Sequence, residues 1–208
     1  YRHMRAYRRD IQAVCDSLVF NGQDSVMTMY HDPILWQEGQ QLLGEEIKAF
    51  FNDSTIDSVQ VLRQALSVER LDSIHYNQIT GNEMHTYFRD GEVYLSTSIG
   101  NVYVNYFHMG EDSILADMNR TETTFLKIFL KDRKVDKIWM PAATGSFYPI
   151  PLIPADMLYV ENFAWFDYVR PVDKHDIFEW RPKKAGSELK KITRREAPKQ
   201  KLSNIKKK

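Results

Sequence analysis

The feature that most constrains this chain is a ten-residue pattern that occurs three times. Gly44 to Asp53 (GEEIKAFFND), Gly81 to Asp90 (GNEMHTYFRD) and Thr123 to Asp132 (TTFLKIFLKD) align without gaps, at offsets of 37 residues (44 to 81) and 42 residues (81 to 123). In the second copy Met84, Thr86 and Phe88 alternate with Glu83, His85 and Tyr87, the period of two of a half-buried strand. Arg89-Asp90-Gly91 then reads as a tight hairpin turn, with glycine supplying positive φ. Val93, Leu95 and Thr97 continue the apolar face; Gly100-Asn101 breaks the run, and Val102, Val104 and Tyr106 start another. In register, Ile47 matches Met84 and Leu126, Ala49 matches Thr86 and Ile128, and Phe51 matches Phe88 and Leu130. After the turn, the first and third copies share an apolar pattern at Ile56, Val59, Val61 and at Val135, Ile138, Met140. The second copy keeps Val93 but has Ser96 and Ser98, which leaves room for a bulge or a change of face. Periods near 40 residues in strand-like sequence predict stacked, solenoid-like hairpin units, each burying its apolar side against its neighbours.

The remaining chain supports an all-β reading. Aromatic residues make up 12%, with 11 Tyr and 11 Phe, and aromatics favour strands. Ile11 to Phe20 and Ser25 to Trp36 read as strands around an Asn21-Gly22 turn, with Pro33 at a strand start or edge. Gln37 to Gln41 is a polar turn, and Ala65 to Arg70 a further strand. Asp-Ser-apolar triplets at Asp16, Asp24, Asp57, Asp72 and Asp112 read as turns that open strands. Tyr1 to Asp10 is basic and reads as an irregular stub. The chain starts at Tyr1, which points to a trimmed fragment whose N-terminus is missing. Pro149, Pro151 and Pro154 impose extended chain. The aromatic stretch from Ala155 to Tyr168 is expected to form a short helical cap or last strand that covers the final apolar layer. Residues 169–208 read as a basic, disordered tail, lysine-rich beyond Pro182. The net charge is +0, yet 181–208 holds twelve basic and two acidic residues, which leaves an acidic body.

The search for chemistry returns little. There is no Gly-rich phosphate loop, nucleophile elbow or HExxH motif. The six histidines are scattered; His75 and His85 across a hairpin read as a polar pair before they read as a metal site. Glu45-Glu46 and Glu111-Asp112 sit beside turns, where neighbouring carboxylates diverge, so they make poor acid–base pairs. Cys15 excludes an internal disulfide and reads as a core thiol. No run of 18 apolar residues is present. The tail lacks interleaved aromatics, so no nucleic acid is expected as a partner; anionic headgroups and plain solvation remain as readings of it. The chain is read as non-enzymatic, without a cofactor.

What remains is one apolar side shared by the repeats: Ile47, Phe51, Val59, Val61, Met84, Phe88, Val93, Leu95, Val102, Val104, Leu126, Ile128, Leu130, Ile138 and Met140. Its plain reading is a filled sandwich core. Its sharper reading is a trough for a long acyl chain, where about 14 carbons at roughly 0.8 kcal/mol each supply on the order of 10 kcal/mol. The residues that favour the trough also carry a resemblance. The motifs DPILW (32–36), QLLGEEI (41–47), YNQITGNEM (76–84), YFRDGEV (87–93), GNVYV (100–104), FYPIP (147–151) and LYVENFAW (158–165) resemble, in order and spacing, the OstA-like proteins of lipopolysaccharide export, nearest in wording to Bacteroidetes-type members. The resemblance spans roughly residues 11–165. It implies an open antiparallel β-jelly roll, a periplasmic location and an interior that shields lipid A acyl chains. It also implies partners, including further copies and other envelope transport components, that pair through exposed strand edges. The competing reading is a structural or scaffold module of the envelope with a filled sandwich core.

Overall fold

The computed structural model describes residues 2–37, 39–52, 55–110 and 114–184. Those residues form twelve strands, all paired antiparallel: β1 Arg2–Arg8, β2 Ile11–Asn21, β3 Val26–Tyr30, β4 Ile34–Gln37, β5 Gln40–Leu43, β6 Glu46–Phe51, β7 Ile56–Arg70, β8 Tyr76–Arg89, β9 Glu92–Met109, β10 Leu115–Lys131, β11 Lys134–Trp139 and β12 Thr144–Pro149. Three short 3-10 turns follow, at Ile150–Leu152, Asp167–Val169 and Asp176–Phe178. The all-β expectation therefore holds. The pairing is not specifically that of an open jelly roll, because part of the sheet closes on itself. β2 holds β4 beside its first half and β3 beside its second, while β7 holds β6 and then β5. With β3–β6 and β4–β5 also paired, six strands close a ring. β8, β9 and β10 extend the sheet outward from β7, and β11 and β12 share the last edge of β10.

The long strands share one line of irregularity. Opposite Asp16 of β2, His31 and Asp32 have φ of 60 and 56°, and the Asp16 amide donates to the His31 carbonyl at 3.4 Å. Next, Gly44-Glu45 lies opposite Arg63-Gln64, whose φ values are 60 and 51°. Register then shifts between Ile79 and Glu83 on β8 and between Thr123 and Phe125 on β10, with Gly100 and Asn101 at φ 71 and 49° on the strand between them. Positive φ is uncommon outside glycine, so its recurrence on neighbouring strands marks a row of bulges, and bulges bend sheets. Gly81 belongs to this row because a Cβ there would run into the Ser98 hydroxyl, which donates to the Thr80 carbonyl at 2.7 Å.

The sheet thus divides along that line into two leaves. The repeat leaf contains all three copies of the pattern: β3, β6, β11, the second half of β2, the first half of β7, and the matching halves of β8, β9 and β10. The strapped leaf contains β4, β5, β12 and the other halves. Their inner faces meet in one core that joins Ala13, Leu35 and Ala65 to Met29, Ile47, Ala49, Val59, Val61 and Met84. The hairpin turns were legible. Arg89 pairs with Glu92 around Asp90 (φ 54°) and Gly91 (82°), and Lys131 pairs with Lys134 around Asp132 and Arg133, both also at positive φ.

Several expectations change. The N-terminal stub is not irregular: Arg2–Arg8 is β1, paired along β2 from Arg2↔Ser17 to Arg8↔Ile11. Gly100-Asn101 does not end a strand; β9 runs through it. The aromatic segment is neither a helix nor a strand and does not cover the last layer. Residues 150–181 instead form a strap across the outside of the strapped leaf, where Val160, Phe166 and Val169 pack on Val14, Ile34, Trp36, Leu43, Leu66, Val68 and Tyr76. The tail expected from 169 packs as far as 184, with Val169 and Asp176 buried; its remainder lies outside the described residues.

The strap is held by a row of side chains in direct register across the sheet. Gln12, Trp36, Gln41, Val68, Gln78, Asn105, Arg120 and Ser146 are successive cross-strand partners. Arg120 Nη1 donates to the Met157 carbonyl at 2.8 Å, and Asn105 Nδ2 donates to the same carbonyl at 3.0 Å. Gln78 donates to the Leu158 carbonyl (3.0 Å) and accepts from the Val160 amide (2.8 Å); Gln41 does the same with Ala164 (2.9 Å) and Phe166 (2.8 Å). Arg170 then donates to Gln12 at 2.8 Å, and Arg5 of β1 donates to Asp176 at 3.2 Å. Buried amides need such partners, and here the partners are the backbone of a segment that has no ladder of its own.

Candidate functional site

Between the leaves, on the side of β8 to β12, lies a cavity of about 690 Å³. The repeat leaf supplies its apolar wall in successive rows. Ala49, Val59, Thr86, Ser96, Ile128 and Ile138 are cross-strand partners in one row. Ile47, Val61, Met84, Ser98 and Leu126 form the row nearer the fold line, and Phe88 with Val93 and Leu130 with Val135 form the row toward the turns.

Ten of the fifteen residues assigned to the interior from sequence line this cavity: Val59, Met84, Phe88, Val93, Val104, Leu126, Ile128, Leu130, Ile138 and Met140. Ile47 and Val61 are fully buried in the packed core beside it, with Phe51 against them. Val102 is buried at the fold line and does not reach the cavity. Leu95 is a correction. Val93 pairs with Phe88 while Leu95 pairs with Tyr87, so the extra residue Tyr94 moves Leu95 to the outer face with Tyr87. The serines expected to mark a change of face, Ser96 and Ser98, line the cavity in its place.

The wall from the strapped leaf differs. Near the fold line it presents Leu35, Leu42, Ser67, Ile79, Val104 and Thr121; farther out it presents a polar row that sequence reading missed. Gln37, Gln40, Glu69 and Asn77 are successive cross-strand partners, and Tyr106, Asn119 and Phe147 continue on β9, β10 and β12. Asn77 donates to Glu69 at 3.0 Å and accepts from the Phe107 amide at 2.9 Å. The only signal in the sequence is the second alternation, polar residues at 37, 40, 69, 77 and 119, which becomes readable as a face only once the pairing is known.

The cavity is closed toward β2 by the packed core and open along the last strands. Val135 and Ile138 of β11 and Phe147 of β12 line it while 53, 50 and 67% exposed.

The other residues with side chains suited to chemistry lie apart. His75 Nδ1 lies 2.7 Å from Asp72, and His85 Nε2 lies 3.3 Å from Glu83 on the outer face, so the two histidines do not meet. Burial pushes the Asp72 carboxyl up, but hydrogen bonds from His75 and from the Ile74 and His75 amides outweigh it and hold the group at about 2. Glu45 and Glu46 do not pair with each other. Arg63 bridges them from the neighbouring strand, at 2.9 Å to each. Burial raises the Cys15 thiol to about 11, consistent with a core thiol. Glu111-Asp112 lies outside the described residues. Among the described residues, no three His, Cys, Asp or Glu side chains gather to hold a metal.

No protein-family model matches this sequence, and no curated protein matches it. Among solved structures it is similar to LptH of Pseudomonas aeruginosa, the LptA homologous periplasmic component of the conserved lipopolysaccharide transport device. The two are 12% identical with a TM-score of 0.48, over 66% of this chain and 93% of that one. A likeness of that size carries no function across.

Proposed function

We propose that this chain is a non-enzymatic lipid carrier of the periplasm, holding the acyl chains of lipopolysaccharide or lipid A on their way between inner and outer membrane. The observation that carries the reading is the cavity. Its volume of about 690 Å³ falls within the range of ligand cavities, ~300–1,000 Å³. One wall is mainly apolar, with Met84, Phe88, Leu126, Ile128 and Leu130 around Thr86, Ser96 and Ser98, and the last strands leave it open to entry from the side. Hydrocarbon burial alone is favourable by roughly 0.8 kcal/mol per methylene, so such a carrier needs no bond-making step. The choice of cargo and compartment is supported by the motifs that resemble the OstA-like proteins. Partner contact is assigned to the outer edges of β1 and of β11 and β12, which pair with no further strand among the described residues and can accept one from another envelope component or a second copy.

The scaffold reading keeps one observation in its favour: the half of the interior bounded by the six-strand ring is filled. Native mass spectrometry on protein gently extracted from envelopes separates the two. The carrier reading expects a bound species with several acyl chains, displaced by an added acyl lipid. Protein that is lipid-free and takes up no acyl lipid is the scaffold result.

A further inference from the structure

The two walls of the cavity differ in more than polarity. Among the described residues that line it, the charged ones are Glu69, Glu92 and Arg133, with His108 beside them. Arg133 Nε already donates to Glu92 at 2.9 Å, and His108 Nδ1 lies 2.7 Å from Asp117. Among the described residues Glu69 meets only the neutral amide of Asn77. The polar row of the strapped leaf therefore offers amides, hydroxyls and one carboxylate that no cation among the described residues compensates. Anion sites are built the other way, from arginine, lysine and converging backbone amides. A phosphate entering here would lose water, meet no free cation among the described lining residues, and face a carboxylate of its own sign.

Resting on the carrier reading, we propose that the cavity takes its lipid with an uncharged, hydrogen-bonding head, rich in hydroxyl or amide groups, against Gln37, Gln40, Asn77 and Asn119. Phosphate groups stay outside. Acyl chains lie on the repeat leaf, and the head lies where the opposite wall turns polar. Hydroxyl and amide heads suit this row because glutamine and asparagine both donate and accept. A site built around such groups rejects an analogue that leaves them unpaired.

The test is displacement of a pyrene-labelled hydrocarbon from the full chain by two competitors with the same short acyl chains, a glucosyl diacylglycerol and a phosphatidic acid. Salt of about 0.5 M screens the basic tail, whose own attraction for phosphate would otherwise mislead. The glucosyl lipid is expected to displace the probe at about tenfold lower concentration. In the Gln40→Leu/Asn119→Leu double variant the ratio between the two competitors should fall toward one. Equal or better displacement by phosphatidic acid overturns the inference and leaves the carrier reading intact. A ratio unchanged in the double variant overturns the assignment to this row. A chain that never binds the probe sinks both.

Discussion

At the scale of residues, the buried charges make the sharpest predictions. The Arg5 guanidinium is 1% exposed, and burial lowers its pKa even though Asp176 works to raise it. Asp176, 5% exposed, accepts from Arg5, from Arg181 and from the Val172 amide. Removing one partner of a buried pair strands the other charge. Asp176→Ala should therefore destabilise by about 3 kcal/mol or more in denaturant melts, and limited proteolysis should begin in the 171–184 segment. Asp72 sets a pH dependence. Its folded pKa, about 2, lies below the unfolded value of roughly 3.9. Its contribution is thus fully present above pH 4 to 5 and is lost as pH falls through the folded value. The group is nearly half exposed, so solvent screening keeps the effect under about 1 kcal/mol. Melting temperatures compared between pH 5 and pH 2 should fall slightly further for the parent chain than for Asp72→Asn. Gly100 tests the fold line. It has φ of 71°, and a Cβ there would collide with the Asn82 side chain; Gly100→Val should cost about 1–3 kcal/mol.

At the scale of elements, the strands with one alternating face were readable and the bends were not. Gly81 to Val104 shows its hairpin because period and turn chemistry are local. The register shift in β8 changes which parity faces inward, from Asn77 and Ile79 to Met84, Thr86 and Phe88. Nothing local signals that change except Gly81, and the positive φ of Arg63 and Gln64 has no signal at all. Leu95 was misplaced for the same reason, a one-residue bulge. The strap was illegible because its stabilisation is long-range: Gln41 and Gln78 bond to carbonyls and amides 80 or more positions away. β1 was missed because four arginines in nine residues read as solvated, whereas its backbone is paired and Arg5 is buried against the strap. Gln78→Leu would leave the Val160 amide without its partner and the Leu158 carbonyl with only the longer bond from Asn105 at 3.3 Å, at about 1–3 kcal/mol. Hydrogen exchange should then rise first at 157–163, with the amides of β6 and β7 in the repeat leaf unchanged; exchange rising equally everywhere would mean that the strap is no separate unit.

At the scale of the whole molecule, the fold line converts a repeated hairpin into a container. Each repeat turns its apolar side inward, and the bend brings a second leaf over it. The core inside the ring of six strands is packed, while the cavity walled by β8 to β12 and by inner-face residues of β4, β5 and β7 stays hollow and unsealed. Exposed apolar residues on the last strands would be a liability in a closed sandwich; under the proposed carrier function they form the entrance. The most direct measurement uses adjacent positions whose side chains oppose each other. A photo-crosslinking amino acid is placed at Phe88, which lines the cavity, and separately at Tyr87, which pairs with Leu95 on the outer face. Irradiation in cells that carry the full chain should yield a lipopolysaccharide adduct from position 88 and none from position 87. Equal capture at both positions, or capture at neither, would contradict a lipid held between the leaves.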